Sequence, residues 1–197
     1  MQPLLVGLLV GGRATRMGGA PKGLLASPDT GEPIAGRLAR VCREALGDVD
    51  VVLLGNASAY AALALPDLPD DPPDSGPLGG LAALLAEASR RGRHALALAA
   101  DLPYVTRDLV ISIAGHAPGA PAVAPRAAGR WQPLFARYAP DRCLPIARSL
   151  LAEGRRAAHG ILDELGGEAA VLLLDDEQTR LLDDWDTPED VAGISGR

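Results

Sequence analysis

Aromatic residues make up only 3% of this 197-residue chain, and positive charge does not predominate, since the formal net charge is −6 and the pI is near 5.0. The scarcity of aromatics leaves few side chains for stacking the bases of a single-stranded nucleic acid. The acidic balance excludes a bulk positive field that would hold a duplex or an acidic membrane. Nucleic acid is therefore not an expected partner, and any phosphate-binding site must be local.

Cysteines and long apolar runs are also scarce. Cys42 and Cys143 lie about a hundred residues apart in helix-like segments, which fits neither a disulfide framework nor a zinc-binding pair, so reduced core cysteines are expected. No run approaches the roughly eighteen apolar residues of a membrane span. Met1–Val10 lacks the basic start and long apolar region of a signal peptide. We expect a cytoplasmic, monomeric protein with no membrane partner.

Short apolar runs and amphipathic segments alternate along the chain. Runs bounded by Gly, Pro or Asp, as in strands buried on both faces, occur at Leu4–Val10, Val49–Leu54, His94–Ala100, Pro121–Ala124 and Ala170–Leu174. Apolar residues at helical spacing occur at Ile34–Leu46, Leu78–Arg91, Arg107–Gly115 and Arg142–Leu151. This alternation predicts a single α/β domain over residues 1–197, with a Rossmann-like, mostly parallel sheet covered by helices on both faces.

Proline and glycine mark the breaks in this pattern. The segment Asp67–Pro77 contains four prolines and four aspartates, which predicts an irregular loop at the strand-end rim. After a turn, Trp131–Tyr138 is predicted to form a strand in which Pro133 marks an edge or a bulge. Thr187 and Pro188 are typical of the N-cap and first turn of a terminal helix.

The stretch LLVGGRATRMGGAPKGLL, from Leu8 to Leu25, concentrates glycine and basic residues directly after the first apolar run. It contains neither the Walker A pattern nor G-x-G-x-x-G. The pair Gly11-Gly12 permits close backbone approach to a ligand, while Arg16 and Lys22 supply cations. Because ligands of open α/β sheets bind beyond the carboxyl ends of strands, this loop predicts a nucleoside triphosphate site.

Asp101 ends the apolar run His94–Ala100 and precedes Leu102-Pro103. A carboxylate at that position enters the crevice at the strand end, where Mg²⁺ prefers one or two carboxylates together with phosphate oxygens. The alternative role, as N-cap of the following helix, is better suited to Thr106 because Thr106 lies closer to the helix start.

The chain resembles the MobA-like nucleotidyltransferases, a family that contains the molybdenum cofactor guanylyltransferase. The opening stretch matches the family pattern L-x-G-G-x-x-x-R-M-G-G-x-x-K-G-L. The match continues through GPLGGL at Gly76–Leu81, ADLPYVTRDL at Ala100–Leu109, QPLFARY at Gln132–Tyr138, GRR at Gly154–Arg156 and DDWDTPEDV at Asp183–Val191. The resemblance covers nearly the whole chain and implies the nucleotide-diphospho-sugar transferase type of sheet.

The resemblance implies roles for particular residues. Catalytic roles fall on Arg16, Lys22 and Asp101, with Asp101 bridging Mg²⁺, or Mn²⁺, to the triphosphate. Nucleotide-binding roles fall on Leu9, Val10, Gly11, Gly12, Lys22, Asn56, Asp70, Asp71 and Gly79. The base-reading carboxylate is assigned to Asp70 or Asp71, although Asp67 and Asp74 lie in the same segment. The resemblance also implies that the second substrate, a pterin phosphate, contacts Gln132, Arg156 and Asp184.

The segment DDWDTPEDV departs from the family pattern, because Asp184 and Asp186 stand where the guanylyltransferase commonly has asparagines. An ionised aspartate accepts but does not donate a hydrogen bond, and it can bind a metal ion. Asp186 is therefore a second candidate metal ligand beside Asp101. Pro21, at a position where many guanylyltransferases have an acidic residue, also departs from the pattern.

The activity implied is Mg²⁺-dependent transfer of GMP from GTP to the terminal phosphate of molybdopterin, with release of pyrophosphate. Transient contacts with proteins that mature molybdoenzymes are implied as well. Because of the departures, transfer from CTP to the same acceptor and transfer to a sugar or alditol phosphate stay open as alternatives. A non-catalytic module that delivers the cofactor is the alternative outside the enzymes.

Overall fold

The computed structural model describes residues 2–10 and 21–184. In this part of the chain the strands are β1 (Leu4–Leu9), β2 (Asp50–Leu54), β3 (Asp67–Leu68), β4 (His94–Ala99), β5 (Ala122–Ala127), β6 (Arg130–Trp131), β7 (Phe135–Tyr138) and β8 (Ala170–Leu172). The α-helices are α1 (Ile34–Leu46), α2 (Gly76–Arg90), α3 (Arg107–Gly115), α4 (Pro140–Ala152), α5 (Gly160–Leu165) and α6 (Asp176–Arg180). Short 3-10 helices occur at Lys22–Leu24, Ser58–Leu63 and Gly166–Glu168.

These strands form one mixed sheet in the order β3-β2-β1-β4-β7-β5-β6, with β8 paired to β5. Strands β3, β2, β1 and β4 are mutually parallel, and β8 is parallel to β5. Strand β7 is antiparallel to both of its neighbours, β4 and β5, and β6 forms an antiparallel hairpin with β5. The predicted α/β class is therefore confirmed, and its sheet is mixed although mostly parallel.

Helices cover both faces of the sheet, as predicted. Successive residues of a strand face opposite sides, and along β1 the side chains of Leu4, Val6 and Leu8 join the core that contains α1 and α3. Leu5 and Leu9 join the second core, which contains α2, α4 and α5. Every residue of β1 is buried, which explains why the sequence shows a continuous apolar run there and no alternation.

The close packing of α2 on the middle of β1 depends on a glycine. A Cβ placed on Gly7 would lie 2.7 Å from Cδ2 of Leu84 and 2.8 Å from Cδ1 of Leu54. No side chain fits in that space without displacing both leucines. Gly7 therefore allows α2 to approach the sheet closely, and this holds the start of α2 near the carboxyl ends of β1 and β2.

The predicted bounds of α1 and α3 are confirmed, and Thr106 caps α3 by accepting a hydrogen bond from the Leu109 amide at 3.3 Å. Helix α4 extends beyond its predicted bounds at both ends. Strand β5 runs three residues further than predicted, and β8 ends at Leu172. Helices α5 and α6 were not predicted, because each is too short to show a full amphipathic period.

Two interpretations of the proline-containing segments are wrong. The segment Asp67–Pro77 is not wholly irregular, because Asp67–Leu68 pairs with β2 and α2 begins at Gly76, with Pro77 in its first turn. The predicted strand Trp131–Tyr138 is divided into β6 and β7. Pro133 lies in the break, since it cannot donate to a strand ladder.

Cys42 and Cys143 are both free and buried, as predicted, and burial raises the pKa of each thiol to about 12. Among the helices of residues 2–10 and 21–184, none is long and apolar enough to cross a membrane. The terminal helix predicted at Thr187 and Pro188 lies outside the described residues.

Candidate active site

The topology opens a crevice between the carboxyl ends of β1 and β4. From β1 the chain proceeds through α1 to β2, on one side, whereas from β4 it proceeds through α3 towards β5, on the other. Adjacent parallel strands whose connections diverge in this way leave a binding crevice beyond their carboxyl ends. Leu9 of β1 is in register with Leu54 of β2 and Ala99 of β4, so the three strands end side by side.

Lys22 and Asp101 meet in this crevice. Nζ of Lys22 lies 3.2 Å from Oδ2 of Asp101, and the two side chains are 20% and 22% exposed. Lys22 begins the 3-10 turn that follows β1 in the chain, and Asp101 follows β4. A carboxylate and an ammonium group in a half-buried crevice form a pair of charges that is weakly screened by solvent and remains open to a ligand. The structure thus brings together two of the predicted catalytic residues, 79 positions apart in the chain.

A cleft of about 390 Å³, here called the β4–β7 cleft, extends from Asp101 across the sheet edge. Gln132 and Asp184, two of the predicted second-substrate residues, line it together with Asp101. Its walls come from the ends of β4 and β5, from the segment before β7 and from the region of α6; they consist of Ala99, Leu102, Ala127, Pro133, Leu134, Phe135, Thr179, Leu182 and Asp183.

Neither Thr179 nor Leu182 was predicted to line the site, although the sequence contains a signal for α6, the helix that includes Thr179. Asp175 accepts a hydrogen bond from the Gln178 amide at 2.7 Å, and the Gln178 side chain accepts one from the Asp175 amide at 3.2 Å. This reciprocal arrangement is a capping box, which is readable as Asp-x-x-Gln in the sequence.

The predicted nucleotide-binding residues at the end of β1 lie on the other side of the crevice. The Val10 amide donates to the Leu54 carbonyl at 3.1 Å, and the Leu9 carbonyl accepts from the Ala100 amide at 3.0 Å. Asn56 follows β2, where its side-chain oxygen accepts from the amide and the hydroxyl of Ser58 at 3.2 and 2.8 Å. Asn56 also lines a second cleft of about 410 Å³, here called the β2 cleft.

The candidate base-reading carboxylates have different environments. A Cβ placed on Gly80 of α2 would lie 3.3 Å from Oδ1 of Asp70 and 2.8 Å from Cδ1 of Leu9. The Asp70 carboxylate therefore lies over the start of α2, beside the end of β1. Burial, together with the negative charge of Asp74, raises the pKa of Asp70. Asp71 is exposed.

Gly79 and Arg156 both lie at the start of α2. A Cβ on Gly79 would collide with Oγ of Ser75, a side chain that donates to the Pro72 carbonyl. Nη1 of Arg156 donates to the Asp74 carbonyl at 2.5 Å, and the Arg156 carbonyl accepts from the Leu78 amide. Arg156 therefore lies against the segment that precedes α2 and does not line the β4–β7 cleft with Gln132 and Asp184.

Four of the predicted site residues, Gly11, Gly12, Arg16 and Asp186, lie outside the described part of the chain. Within residues 2–10 and 21–184, no group of three or more His, Cys, Asp or Glu side chains is close enough to hold a metal ion by itself. A metal ion at Asp101 would therefore take further ligands from substrate, from water or from residues beyond that part.

Comparison with known proteins agrees with this geometry. Residues 6–169 match the family model of the MobA-like NTP transferase domain. The chain is 34% identical over 196 residues to a molybdenum cofactor guanylyltransferase of Pseudomonas putida, with 96% of each chain covered. The solved molybdopterin-guanine dinucleotide biosynthesis protein A of Archaeoglobus fulgidus superimposes with a TM-score of 0.72 at 19% identity, covering 96% of this chain and 95% of that one.

The fold extends to a more distant nucleotidyltransferase. The 2-C-methyl-D-erythritol 4-phosphate cytidylyltransferase of Thermus thermophilus superimposes with a TM-score of 0.64 at 16% identity, over 98% of this chain and 97% of that one. The sheet is thus that of the nucleotide-diphospho-sugar transferases, as expected. With its crevice, its paired Lys22 and Asp101 and its family match in agreement, the chain belongs to the MobA-like NTP transferase family and is a nucleotidyltransferase.

Proposed function

We propose that this enzyme transfers GMP from GTP to the terminal phosphate of molybdopterin. In this reaction a phosphate oxygen of the acceptor attacks the α-phosphorus of GTP, the bond from that phosphorus to the bridging oxygen breaks, and pyrophosphate leaves. The proposal is supported by the curated relatives named molybdenum cofactor guanylyltransferase, which align over nearly the whole chain. The observation that carries it is the Lys22–Asp101 pair, between the predicted nucleotide-binding residues at the end of β1 and the β4–β7 cleft.

Nucleotidyl transfer requires positioning and charge stabilisation more than covalent chemistry by the protein. Lys22 is the single lysine of the chain, and its ammonium group would bind triphosphate oxygens in the crevice. On the nucleotide side, Asp70 would accept from the ring N–H and the exocyclic amine of guanine, and its position beside Leu9 favours it over the exposed Asp71.

Asp101 is the described residue best suited to hold Mg²⁺. Its carboxylate is half-buried at the carboxyl end of β4, and its Oδ2 lies 3.2 Å from Nζ of Lys22. Mg²⁺ in phosphate-transfer sites is usually bound by one or two carboxylates and by substrate phosphates. Bound there, the ion would neutralise charge that develops on the phosphates. Asp186 remains the proposed second ligand.

The β4–β7 cleft is the proposed acceptor site. It adjoins Asp101 directly, and it combines polar groups from Gln132, Thr179 and Asp184 with apolar walls from Leu134 and Phe135. A mixture of a few convergent polar groups with apolar walls suits a heterocycle that carries polar edges, as a pterin does. Arg156 lies apart from this cleft, at the start of α2, so its proposed contact would be with a part of the substrates that reaches α2.

The test is pyrophosphate release from GTP, CTP, ATP and UTP, each with Mg²⁺ and with or without molybdopterin. We expect release from GTP alone, and only when molybdopterin is present. Release from CTP instead would assign the enzyme to the cytidylyl branch, and release with a sugar phosphate but not with molybdopterin would replace the acceptor. Binding of triphosphate without any release would favour the delivery module.

A further inference from the structure

Tyr60 lies where the two segments that carry Lys22 and Asp101 converge. Its side chain is only 2% exposed, and it belongs to the 3-10 turn Ser58–Leu63 that follows β2. A Cβ placed on Gly23 would lie 3.0 Å from both Cε1 and Oη of Tyr60, and 3.1 Å from Cβ of Ala100. The Tyr60 ring and the Ala100 methyl group therefore both pack close to the Gly23 backbone, and both belong to the same core cluster.

This contact involves the immediate chain neighbours of both charged residues. Gly23 follows Lys22, and Ala100 precedes Asp101. A displacement of the Tyr60 ring would therefore disturb the Gly23 backbone, against which Ala100 also packs, and the 3.2 Å separation of Nζ and Oδ2 depends on the backbones of these two segments. Other elements also support the crevice, but Tyr60 packs on Gly23 at the point where the Ala100 side chain also meets it.

The Tyr60 hydroxyl is coupled to the same two segments. Burial raises the pKa of Tyr60, a hydrogen bond with the Gly23 backbone opposes that effect, and the negative charge of Asp101 adds to the increase. The hydroxyl is therefore neutral at physiological pH. It is held by Gly23 and lies close enough to Asp101 to interact with the charge of that carboxylate.

A purely structural tyrosine is available for comparison in the opposite core. Tyr138 of β7 is fully buried, and its hydroxyl donates to the Pro133 carbonyl at 2.7 Å. Tyr60 and Tyr138 are thus both buried, and the hydroxyl of each lies beside backbone, Gly23 for Tyr60 and the Pro133 carbonyl for Tyr138. They differ in location, because Tyr138 packs in the core of α2 and α4, away from Lys22.

We propose that Tyr60 is a positioning residue that keeps Lys22 and Asp101 in register across the crevice, an inference that rests on the proposed triphosphate chemistry of that pair. Asn56 strengthens the assignment, since its side chain fixes the first turn of the Tyr60 segment through Ser58. One short segment after β2 therefore extends from a predicted nucleotide-binding residue to the pair that would act on the phosphates.

The experiment compares Tyr60→Phe with the matched control Tyr138→Phe. We expect Tyr60→Phe to lower kcat for pyrophosphate release by about tenfold, because small misplacements of reacting groups have large effects on rate, while KM for the acceptor stays within about twofold of wild type. Tyr138→Phe should lower the melting temperature by a similar amount and leave kcat within about twofold of wild type.

Lys22 provides a readout that does not depend on turnover. As the single lysine, its ε-amine can be followed alone by acetylation with acetic anhydride and mass spectrometry of the Lys22 peptide. The Lys22 ε-amine is held against Asp101 with only 20% of the side chain exposed, so loosening the pair should expose it and raise its rate of acetylation about threefold or more in Tyr60→Phe. Tyr138→Phe should acetylate at the wild-type rate.

Gly23→Ala tests the same contact from the other side. The added methyl group should displace the ring and reproduce the loss of kcat and the faster acetylation of Lys22. Its effect should combine non-additively with Tyr60→Phe, because the two positions are in contact. If Tyr60→Phe loses stability but keeps wild-type kcat and wild-type Lys22 reactivity, the positioning role is overturned.

The two proposals fail in different ways. All rates are measured with the triphosphate that wild type uses best, so a preference for CTP changes the proposed function and leaves the Tyr60 comparison intact. An active wild type beside an unchanged Tyr60→Phe overturns the inference alone. A wild type that neither binds nor turns over any of the four triphosphates overturns both.

Discussion

Two parts of one sheet bring residues to the crevice in opposite ways. In the parallel part, β3-β2-β1-β4, the residues at the crevice come after strands: Asn56 follows β2, and Asp101 follows β4. In the mixed part, β7 runs antiparallel to β4, and the residues at the crevice come before it. Gln132 precedes β7, and the Leu134 carbonyl accepts from the Ala99 amide at 2.7 Å, which fixes that segment against the end of β4.

The difference shows that residues at one edge of a sheet can be held in place by different parts of the fold. Residues of the parallel part are held by long buried strands on which the whole fold depends. Residues of the mixed part are held by a hairpin and a few short elements. If the division is also one of function, substitutions in the parallel part should change the chemistry with every acceptor, and substitutions in the mixed part should change only the use of the acceptor.

Asp101→Asn should give the largest effect. It keeps the shape of the side chain but removes the charge that pairs with Lys22, so kcat for pyrophosphate release should fall by about 10²- to 10³-fold with every acceptor. The melting temperature should change little. Asp108→Asn, at a side chain 92% exposed on α3, is the control. Turnover by Asp101→Asn at the wild-type rate would remove Asp101 from the chemistry.

Lys22→Met should lower kcat/KM for the triphosphate by about 10- to 100-fold, since a charge-assisted contact with phosphate is lost. Lys22→Arg keeps the charge but changes its geometry, and should recover part of the activity. Steady-state kinetics with varied GTP measure both variants. An unchanged kcat/KM for GTP in Lys22→Met would show that the parallel part does not bind the phosphates through Lys22.

Arg37→Met tests how the parallel part is held together. Nε of Arg37 donates to Oδ1 and Oδ2 of Asp29 at 3.0 and 2.8 Å, and Nη1 donates to the buried Val105 carbonyl at 2.8 Å. Losing these bonds should lower the free energy of unfolding by about 2 kcal/mol, a value kept modest because Asp29 is half exposed. Urea titration is the measurement. Arg43→Met, at an exposed site on the same helix, should change the free energy of unfolding by less than about 0.5 kcal/mol.

The difference between wild type and Arg37→Met should also depend on pH. Burial raises the pKa of Asp29, but the hydrogen bond and charge of Arg37 outweigh it and leave the pKa below its ordinary value of 3.8. A carboxyl with a lowered pKa contributes stability above its unfolded pKa and loses it as the pH falls through the folded value. The difference should therefore be full at pH 7 and should shrink below about pH 4. A difference that grows in acid would contradict the pairing.

Gln132→Ala should give the smallest effect, and it tests whether the mixed part acts only on the use of the acceptor. Its side chain lines the β4–β7 cleft, and its loss should raise KM for molybdopterin by about five- to tenfold while kcat/KM for GTP changes by less than twofold. Gln2→Ala, at an exposed residue before β1, is the matched control. If Gln132→Ala changed kcat/KM for GTP more than it changed KM for molybdopterin, the proposed division of function between the two parts would be wrong.

The sequence predicted the parallel part more fully than the mixed part, for a physical reason. Strands β1, β2 and β4 are buried on both faces and appear as continuous apolar runs, and the predicted ends of each lie within one residue of the observed ends. Helices α1 and α3 are long enough for their period to be recognised. The position of Asp101 followed from the end of one such run.

The features that the sequence did not predict depend on contacts between distant residues, which no local pattern indicates. Strand β3 has two residues and exists only because β2 pairs with it, and β6 is equally short. The difference between Asp70 and Asp71 arises from the packing of α2 on β1, which the spacing of aspartates does not encode. Tyr60 shows no motif at all, since its neighbour Gly23 comes from a distant part of the chain.

The reversed direction of β7 has a consequence for how such an enzyme can diversify. Because Gln132, which lines the β4–β7 cleft, follows the hairpin of β5 and β6, the hairpin can change in length or composition while β1, β2 and β4 keep their register. If the β4–β7 cleft holds the acceptor, as proposed, relatives could take new acceptors by altering only this hairpin. Exchange of residues 126–134 between relatives would be the natural graft for redesigning what the enzyme modifies.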